Sequence, residues 1–275
     1  MSNLMKALLT LPASLLLALP ALAQDPVQAA DAPKVDPIIQ KLIANLPKLA
    51  EMKWEAAQTL SLDGGDGAVN GTITMSFQDK THFKCSLDFV AAQKLEDGSA
   101  GESQNIKATL VADGSFLWVN APMLAQTGML PETVKVELAV FEELAKMVPQ
   151  MMAGRGGDAA PKDIHGMLAD ATKGMSFKEE GSTDALKRFI FSGGGWNGAC
   201  KMDSATWFPM GVDISNEEGM KAVINTTSFA KKETFPEGSF VLSGVDLNTV
   251  MDLSGMIRMQ LGALNGGGGE EDLEF

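Results

Sequence analysis

Apolar side chains recur at every second position through much of this chain, the signature of strands with one buried face. Met52, Trp54, Ala56, then Leu60 and Leu62 alternate with Lys53, Glu55 and Thr59. A Gly64-Gly65-Asp66-Gly67 turn follows, and then Ile73, Met75 and Phe77 alternate with Thr72, Thr74 and Ser76. The cleanest alternation is Phe83, Cys85, Leu87 and Phe89 against Lys84, Ser86 and Asp88. Glu96 to Gln104 reads as a polar loop, Lys107 to Ala112 as a strand, Asp113-Gly114 as a hairpin turn, and Ser115 to Asn120 as the returning strand. Strands in succession with short turns predict an antiparallel meander.

The period changes after Pro122. From Val134 to Met152 the apolar residues Val136, Val140, Phe141, Leu144, Val148 and Met151 fall at helical spacing, and Pro161 to Ala171 reads as a second helical piece. Strands resume at Met175–Lys178, Leu186–Phe191, Trp196–Met202, Phe208–Ile214 and Met220–Phe229. In Trp196–Met202 the face Trp196, Cys200, Met202 opposes Asn197 and Lys201. Ahead of the first strand, Asp36-Pro37 starts a short helix, with Asp as N-cap and Pro at the first helical position, and Pro47 is expected to end it. After Phe240 a stripe through Leu247, Val250, Met251, Ile257, Leu261 and Leu264 predicts a helix, then a glycine-rich acidic tail.

The pattern therefore predicts a mainly β fold with helices (α+β), a single curled antiparallel sheet of about ten strands forming an open half-barrel covered by helices. The expected organisation is a signal peptide over 1–23 and a disordered lead over 24–35. A half-barrel domain follows over 36–243, with a helical insert at about 122–174. A C-terminal helix over 244–264 and a tail over 265–275 complete it. The signal peptide rests on Lys6, the apolar run Ala7 to Leu19, and Ala21-Leu22-Ala23 with cleavage before Gln24. That run is too short for a membrane span, which needs roughly 20 apolar residues. No Cys sits at the cleavage site to carry a lipid anchor. The expected location is the periplasm or outside the cell, as a protein without an anchor, and as a monomer.

Charge narrows the partners. The net charge of −13 argues against nucleic acid and against simple docking on anionic lipid head groups. Tyr is absent and Met occurs 17 times, a flexible side chain suited both to cores and to adaptable binding surfaces. Cys85 and Cys200, in a chain bound for an oxidising compartment, are either a disulfide or two buried thiols. No catalytic set, metal-ligand spacing or cofactor motif appears, so a non-enzymatic role with no metal and no cofactor is expected. His82 and His165 have no partner at ligand spacing, and Gly193-Gly194-Gly195 links two strands rather than opening a helix.

The informative constellation is hydrophobic. A curled sheet that does not close leaves a concave face that is either a ligand cavity or a core packed against the helices. The residues expected on it are Trp54, Met75, Phe77, Phe83, Leu87, Phe89, Trp118, Trp196 and Met202.

The order of these pieces resembles the LolA-like superfamily of periplasmic lipoprotein carriers, receptors and regulators. Gly71-Thr72-Ile73 through Leu87 is similar to its early strands, with Phe83-Lys84-Cys85 where the family has F-(K/R)-aromatic. Leu110 to Val119, with Asp113-Gly114 and Trp118, is similar to its "l-v-x-D-G-x-x-l-W" hairpin. Asp203-Ser204-Ala205-Thr206 before Phe208-Pro209 is similar to its late "d-x-x-t" hairpin. Gln78-Asp79 stands where the family has a Pro.

The resemblance implies an open barrel with a helical lid, a cavity for lipid or lipoprotein acyl chains, and a membrane-associated donor or receptor. It further implies a lid contact through Lys84, with Phe141 and Leu144 on the lid. A second role remains open: an envelope sensor or interaction module of the same fold, its sheet filled by side chains.

Overall fold

The computed structural model describes residues 36–64, 67–94, 99–126, 128, 130–144, 172 and 174–266. The expected signal peptide, the lead, helix 161–171 and most of the insert and tail lie outside the described residues.

Helix α1, Pro37–Ala50, begins where Asp36 accepts the Ile38 N–H at 2.8 Å. Pro47 does not end it. The proline sits in the last turn, and its carbonyl accepts the Glu51 N–H, so the helix runs three residues further than expected. Twelve strands follow: β1 Lys53–Gly64, β2 Gly67–Asp79, β3 His82–Lys94, β4 Ala100–Asp113, β5 Phe116–Asn120, β6 Thr133–Glu137, β7 Ser176–Glu179, β8 Leu186–Gly193, β9 Trp196–Asp203, β10 Pro209–Asn216, β11 Lys221–Lys232 and β12 Met251–Asp252. Helix α2 is Pro122–Gln126, α3 covers 138–144, and α4 is Ser254–Gly266.

All twelve strands form one sheet in the order β12-β6-β5-β4-β3-β2-β1-β11-β10-β9-β8-β7, and it does not close. Two antiparallel meanders, β1–β6 and β7–β11, are joined where β1 pairs with β11. The parallel exception is β12 beside β6. The result is the mainly β open half-barrel, with helices, that the alternation predicts.

Alternation within β1–β3 places one side of each strand in the core, and register carries that side across the sheet. Trp54 pairs with Phe77, Phe77 with Phe83, Phe83 with Ala112, Ala112 with Leu117 and Leu117 with Val136. The row through Ala56, Met75, Cys85, Leu110 and Val119 lies beside it. Leu49 of α1, Leu138 of α3 and Phe208 complete this core.

Two glycines interrupt the inner face. A Cβ on Gly71 would lie 2.2 Å from the Asp88 carbonyl oxygen and 2.3 Å from Cδ1 of Phe89. A Cβ on Gly198 would lie 2.2 Å from the Asp213 carbonyl oxygen and 2.6 Å from Cζ of Phe191. Each meander thus has a phenylalanine ring lying over a glycine of the neighbouring strand. Such pairs let a sheet bend tightly while its apolar cover stays continuous.

Three elements differ from the expectation. The stretch expected as a polar loop over Glu96–Gln104 holds the start of β4 at Ala100, which pairs with β3. The helix expected from Val134 begins only at 138, because Thr133–Glu137 alternates and pairs with β5 as β6. The single C-terminal helix is instead a 3-10 turn at Leu247–Thr249, the short strand β12, and α4.

The last difference creates a strap. The chain leaves β11 next to β1 and reaches β12 beside β6, so residues 233–250 traverse the sheet. Phe240 is buried, packing edge-on against His82, 6.0 Å between centroids, and against Phe235 at 5.0 Å. His82 alternates with Phe83, which puts the strap on the outer face. The Leu253 N–H bonds the Lys135 carbonyl, Ser254 Oγ accepts the Glu137 N–H, and Arg258 pairs with Glu137.

His82 is anchored from below. Asp79 accepts the Thr81 N–H and hydroxyl at 2.8 and 2.7 Å and the His82 N–H at 2.9 Å. Burial pushes the Asp79 carboxyl up, but the Thr81 and His82 hydrogen bonds outweigh it and hold its pKa at about 2, below the usual 3.8. A depressed carboxylate stabilises the fold above pH ~4 and loses that contribution as pH falls toward 2. With 45% of the side chain exposed, solvent screening reduces the effect to about 1 kcal/mol. Asp79→Asn is therefore expected to cost about that much at pH 7. The difference from wild type should vanish near pH 2, as read by chemical denaturation across pH.

Candidate ligand-binding face

The candidate site is the inner face itself. Trp54 stands at the start of β1: the indole N–H donates to the Leu49 carbonyl at 3.2 Å, fastening β1 to the end of α1. Around it stack Phe77, 5.5 Å away and 18° from parallel, and Phe208, edge-on at 5.1 Å. Phe208 in turn stacks on Phe229 at 4.2 Å. The late hairpin turn aims Phe208 inward. Asp203 Oδ1 accepts the Thr206 N–H and hydroxyl, at 2.8 and 2.7 Å. Trp207 takes a φ of 60°, unusual for a bulky residue, and its ring stacks on Phe189 at 5.8 Å. One residue in the left-handed region thus lets two successive aromatic side chains pack on separate rings.

Of the expected lining residues, Trp54, Met75, Phe77, Phe83, Leu87, Phe89 and Met202 are buried on this face, as the alternation predicts. Trp196 is half-buried and shares its side of β9 with Met202. Trp118 is a correction. Leu117 and Val119 point to the core, so Trp118 faces outward, where its indole donates to Asp113 at 2.7 Å and Lys135 lies 5.4 Å from its ring. Asp113 also accepts the Ser115 and Phe116 N–H groups, at 2.9 and 2.8 Å. The Asp-Gly…Trp motif is thus a self-bonded hairpin.

Lys84 is a second correction. It shares the outer side with Ser76 and Val111, its register partners, whereas Phe141 of α3 packs on the inner core. It is on the wrong face to hold α3. Leu144 is half-buried at the last described turn of that helix.

For the cysteines the second of the two alternatives holds: both are free thiols. β3 and β9 stand five positions apart in the sheet, roughly 24 Å along it at 4.8 Å per strand, far beyond the ~7 Å that a disulfide tolerates between Cα atoms. Burial pushes the Cys85 thiol up to about 12 and raises that of Cys200 as well. Alkylation of the native protein is expected to leave Cys85 unmodified and to label Cys200 slowly. Intact mass under non-reducing conditions should count two thiols after unfolding.

The sequence reading passed over Gln58. It is buried at 4% exposure in the middle of the apolar face, at a β-bulge where β1 and β11 shift register between Ala57 and Gln58. The only signal was a gap in the β1 alternation, between Ala56 and Leu60. Phe189 and Phe229, in β8 and β11, also belong to this face, one under the Trp207 ring and the other against Phe208.

Among the described residues no group of acids, histidines and cysteines could hold a metal ion, and no helix is long and apolar enough to cross a membrane. A shallow hollow of about 350 Å³ with a mixed lining lies at the tips of β1, β2 and β3, among Leu62, Asp63, Ala68, Asn70, Ala92 and Lys94. None of the candidate lining residues borders it.

No protein-family model and no curated protein matches the chain. It is similar to several solved structures. One is the MucA/MucB complex of Pseudomonas aeruginosa, at 11% identity over 74% of this chain and 61% of that one, TM-score 0.36. Another is a putative outer membrane lipoprotein-sorting protein domain from Vibrio parahaemolyticus, at 10% identity, 74% and 94% coverage, TM-score 0.25. A third is the LolA superfamily protein NE2245 of Nitrosomonas europaea, at 9%, 75% and 98%, TM-score 0.28. The chain spans about three fifths of the MucB length that it matches. These likenesses say nothing of a role or a ligand.

Proposed function

We propose that this chain is an exported, non-enzymatic binding protein whose inner sheet face takes the acyl chains of lipids or lipoproteins in the cell envelope. The observation that carries the reading is an apolar face that runs from β5 across β1 to β11 and Phe208 on a sheet that does not close, with Leu49 of α1 and Leu138 and Phe141 of α3 packed on it in place of a second sheet. Helices can lift from such a face without breaking a ladder. Each buried CH₂ gains roughly 0.8 kcal/mol, so a dozen methylenes supply about 10 kcal/mol toward displacing the cover. Because Phe77, Phe83 and Phe89 are already shielded, the described form is the closed one, and ligand affinity is reduced by the rarity of the open form. A membrane-associated donor or receptor would assist opening. Neither a cofactor nor nucleic acid takes part.

Organic extraction of protein purified from the cell envelope, followed by mass spectrometry, tests this reading. Acyl lipid at near-stoichiometric amounts is expected. Repeated absence of lipid, together with no binding of a fluorescent fatty acid, would sink it.

A second reading, a protein-interaction module, is favoured by one observation. Leu247, Met256 and Met259 on the C-terminal segment are exposed at 70, 51 and 71%. Methionines at an exposed helix face suit an adaptable protein contact.

A further inference from the structure

The buried amide of Gln58 is held in one orientation by its neighbours. Thr226 Oγ1 donates its single proton to the Pro209 carbonyl at 2.7 Å, so that oxygen accepts, at 3.0 Å, from the Gln58 amide nitrogen. The same nitrogen also lies 3.5 Å from the Pro209 carbonyl, an acceptor that repels an oxygen in its place. The amide nitrogen is thereby turned to β10 and β11, and Oε1 is left without a partner. Among the described residues no side-chain oxygen is both unpaired and sealed from solvent, so Oε1 keeps a small opening to solvent. Around it on the same face are Ile73 and Leu87, its row partners, and the Phe208–Phe229 stack next to Pro209 and Thr226. A ligand seated on this face displaces solvent from Oε1, and the desolvated acceptor costs binding energy unless the ligand donates to it.

We propose that Gln58 Oε1 is a recognition point on the inner face, selecting acyl ligands that carry an N–H or O–H donor beside the chain over ligands that carry none. The inference rests on the acyl-binding reading and adds a chemical requirement to it. An ester or ether linkage offers only acceptors and leaves Oε1 unpaired; an amide N–H or a chain hydroxyl satisfies it.

The test uses two matched pairs in competition with a fluorescent fatty acid on the full chain. N-methylhexadecanamide is compared with N,N-dimethylhexadecanamide, and methyl 3-hydroxyhexadecanoate with methyl hexadecanoate. Wild type is expected to prefer the donor-bearing member of at least one pair by roughly tenfold, the equivalent of about 1.4 kcal/mol. The pair that shows the preference tells amide from hydroxyl. Gln58→Leu is expected to abolish the preference while still binding the donor-free members.

Equal binding within both pairs, or a preference that survives in Gln58→Leu, overturns the proposal and leaves acyl binding standing. No binding of any of the four overturns acyl binding, and this proposal with it. The wild-type comparison decides even if the variant fails to fold.

Discussion

Replacing Gly71 with valine is expected to abolish folding, with no soluble protein recovered and no cooperative transition by circular dichroism. The missing Cβ is occupied twice over, by the Asp88 carbonyl oxygen at 2.2 Å and by the Phe89 ring at 2.3 Å. Neither can yield cheaply. Asp88 is ladder backbone between β2 and β4, and Phe89 is buried to 2% exposure in the middle of the first meander. Forcing a branched side chain into that gap parts β2 from β3, which share one of the longest pairings in the sheet. Overpacking of a core costs about 1–3 kcal/mol when side chains can shift, and more where backbone blocks them. Here neither neighbour can shift, so the clash must open the β2–β3 ladder as well, and that loss is comparable with a total stability of roughly 5–15 kcal/mol. Gly71→Ala should show the same sign at reduced size, whereas Gly255→Ala, which lies in α4 and meets nothing within 4 Å, is expected to be neutral or to stabilise by up to about 1 kcal/mol.

Trp54→Ala is expected to lower stability by about 3–5 kcal/mol in urea denaturation, the range for deleting a buried aromatic side chain. The indole is 3% exposed and makes three ring contacts, with Phe77, Phe208 and Phe229. It also holds the Leu49 carbonyl at the end of α1. Trp54→Phe keeps most of the ring contact and loses only that hydrogen bond. Its expected cost of about 1 kcal/mol separates packing from the fastening of the helix. If the two variants lose equal stability, the hydrogen bond and not the stack is what Trp54 contributes.

Within the first meander β3 is the most legible strand, because it alternates without interruption and side and register follow from each other. Phe83 to Phe89 shows this best. Where two periods fit the same residues, the longer pattern misled. Val136 and Val140 suit a helix, but Val134 and Val136 with Lys135 between them suit a strand, and pairing to β5 decides the matter. Trp118 was assigned to the interior by its type, although alternation with Leu117 and Val119 already puts it outside. Indole is amphipathic, and with Asp113 to accept its proton it is content at a surface.

The strap and β12 carry a misleading periodicity: Leu247, Val250 and Met251 fall at helical spacing, yet Met251 pairs with Val134 in β12. They are held by backbone bonds to β6 and by single buried side chains such as Phe240, which a local pattern cannot reveal. Gln58 escaped notice for the opposite reason. A polar residue in an apolar alternation looks like noise until its hydrogen-bond partners are located.

The central claim is that the inner face, and not the exposed methionines of α4, receives the ligand. Photocrosslinking with a diazirine-bearing fatty acid, with the modified peptides mapped by mass spectrometry, tests it most directly. The account predicts adducts on inner-face side chains such as Met75, Phe208, Met210 and Phe229, competed away by unlabelled fatty acid. Adducts confined to Met256, Met259 and Leu247, or labelling that excess fatty acid does not reduce, would contradict it.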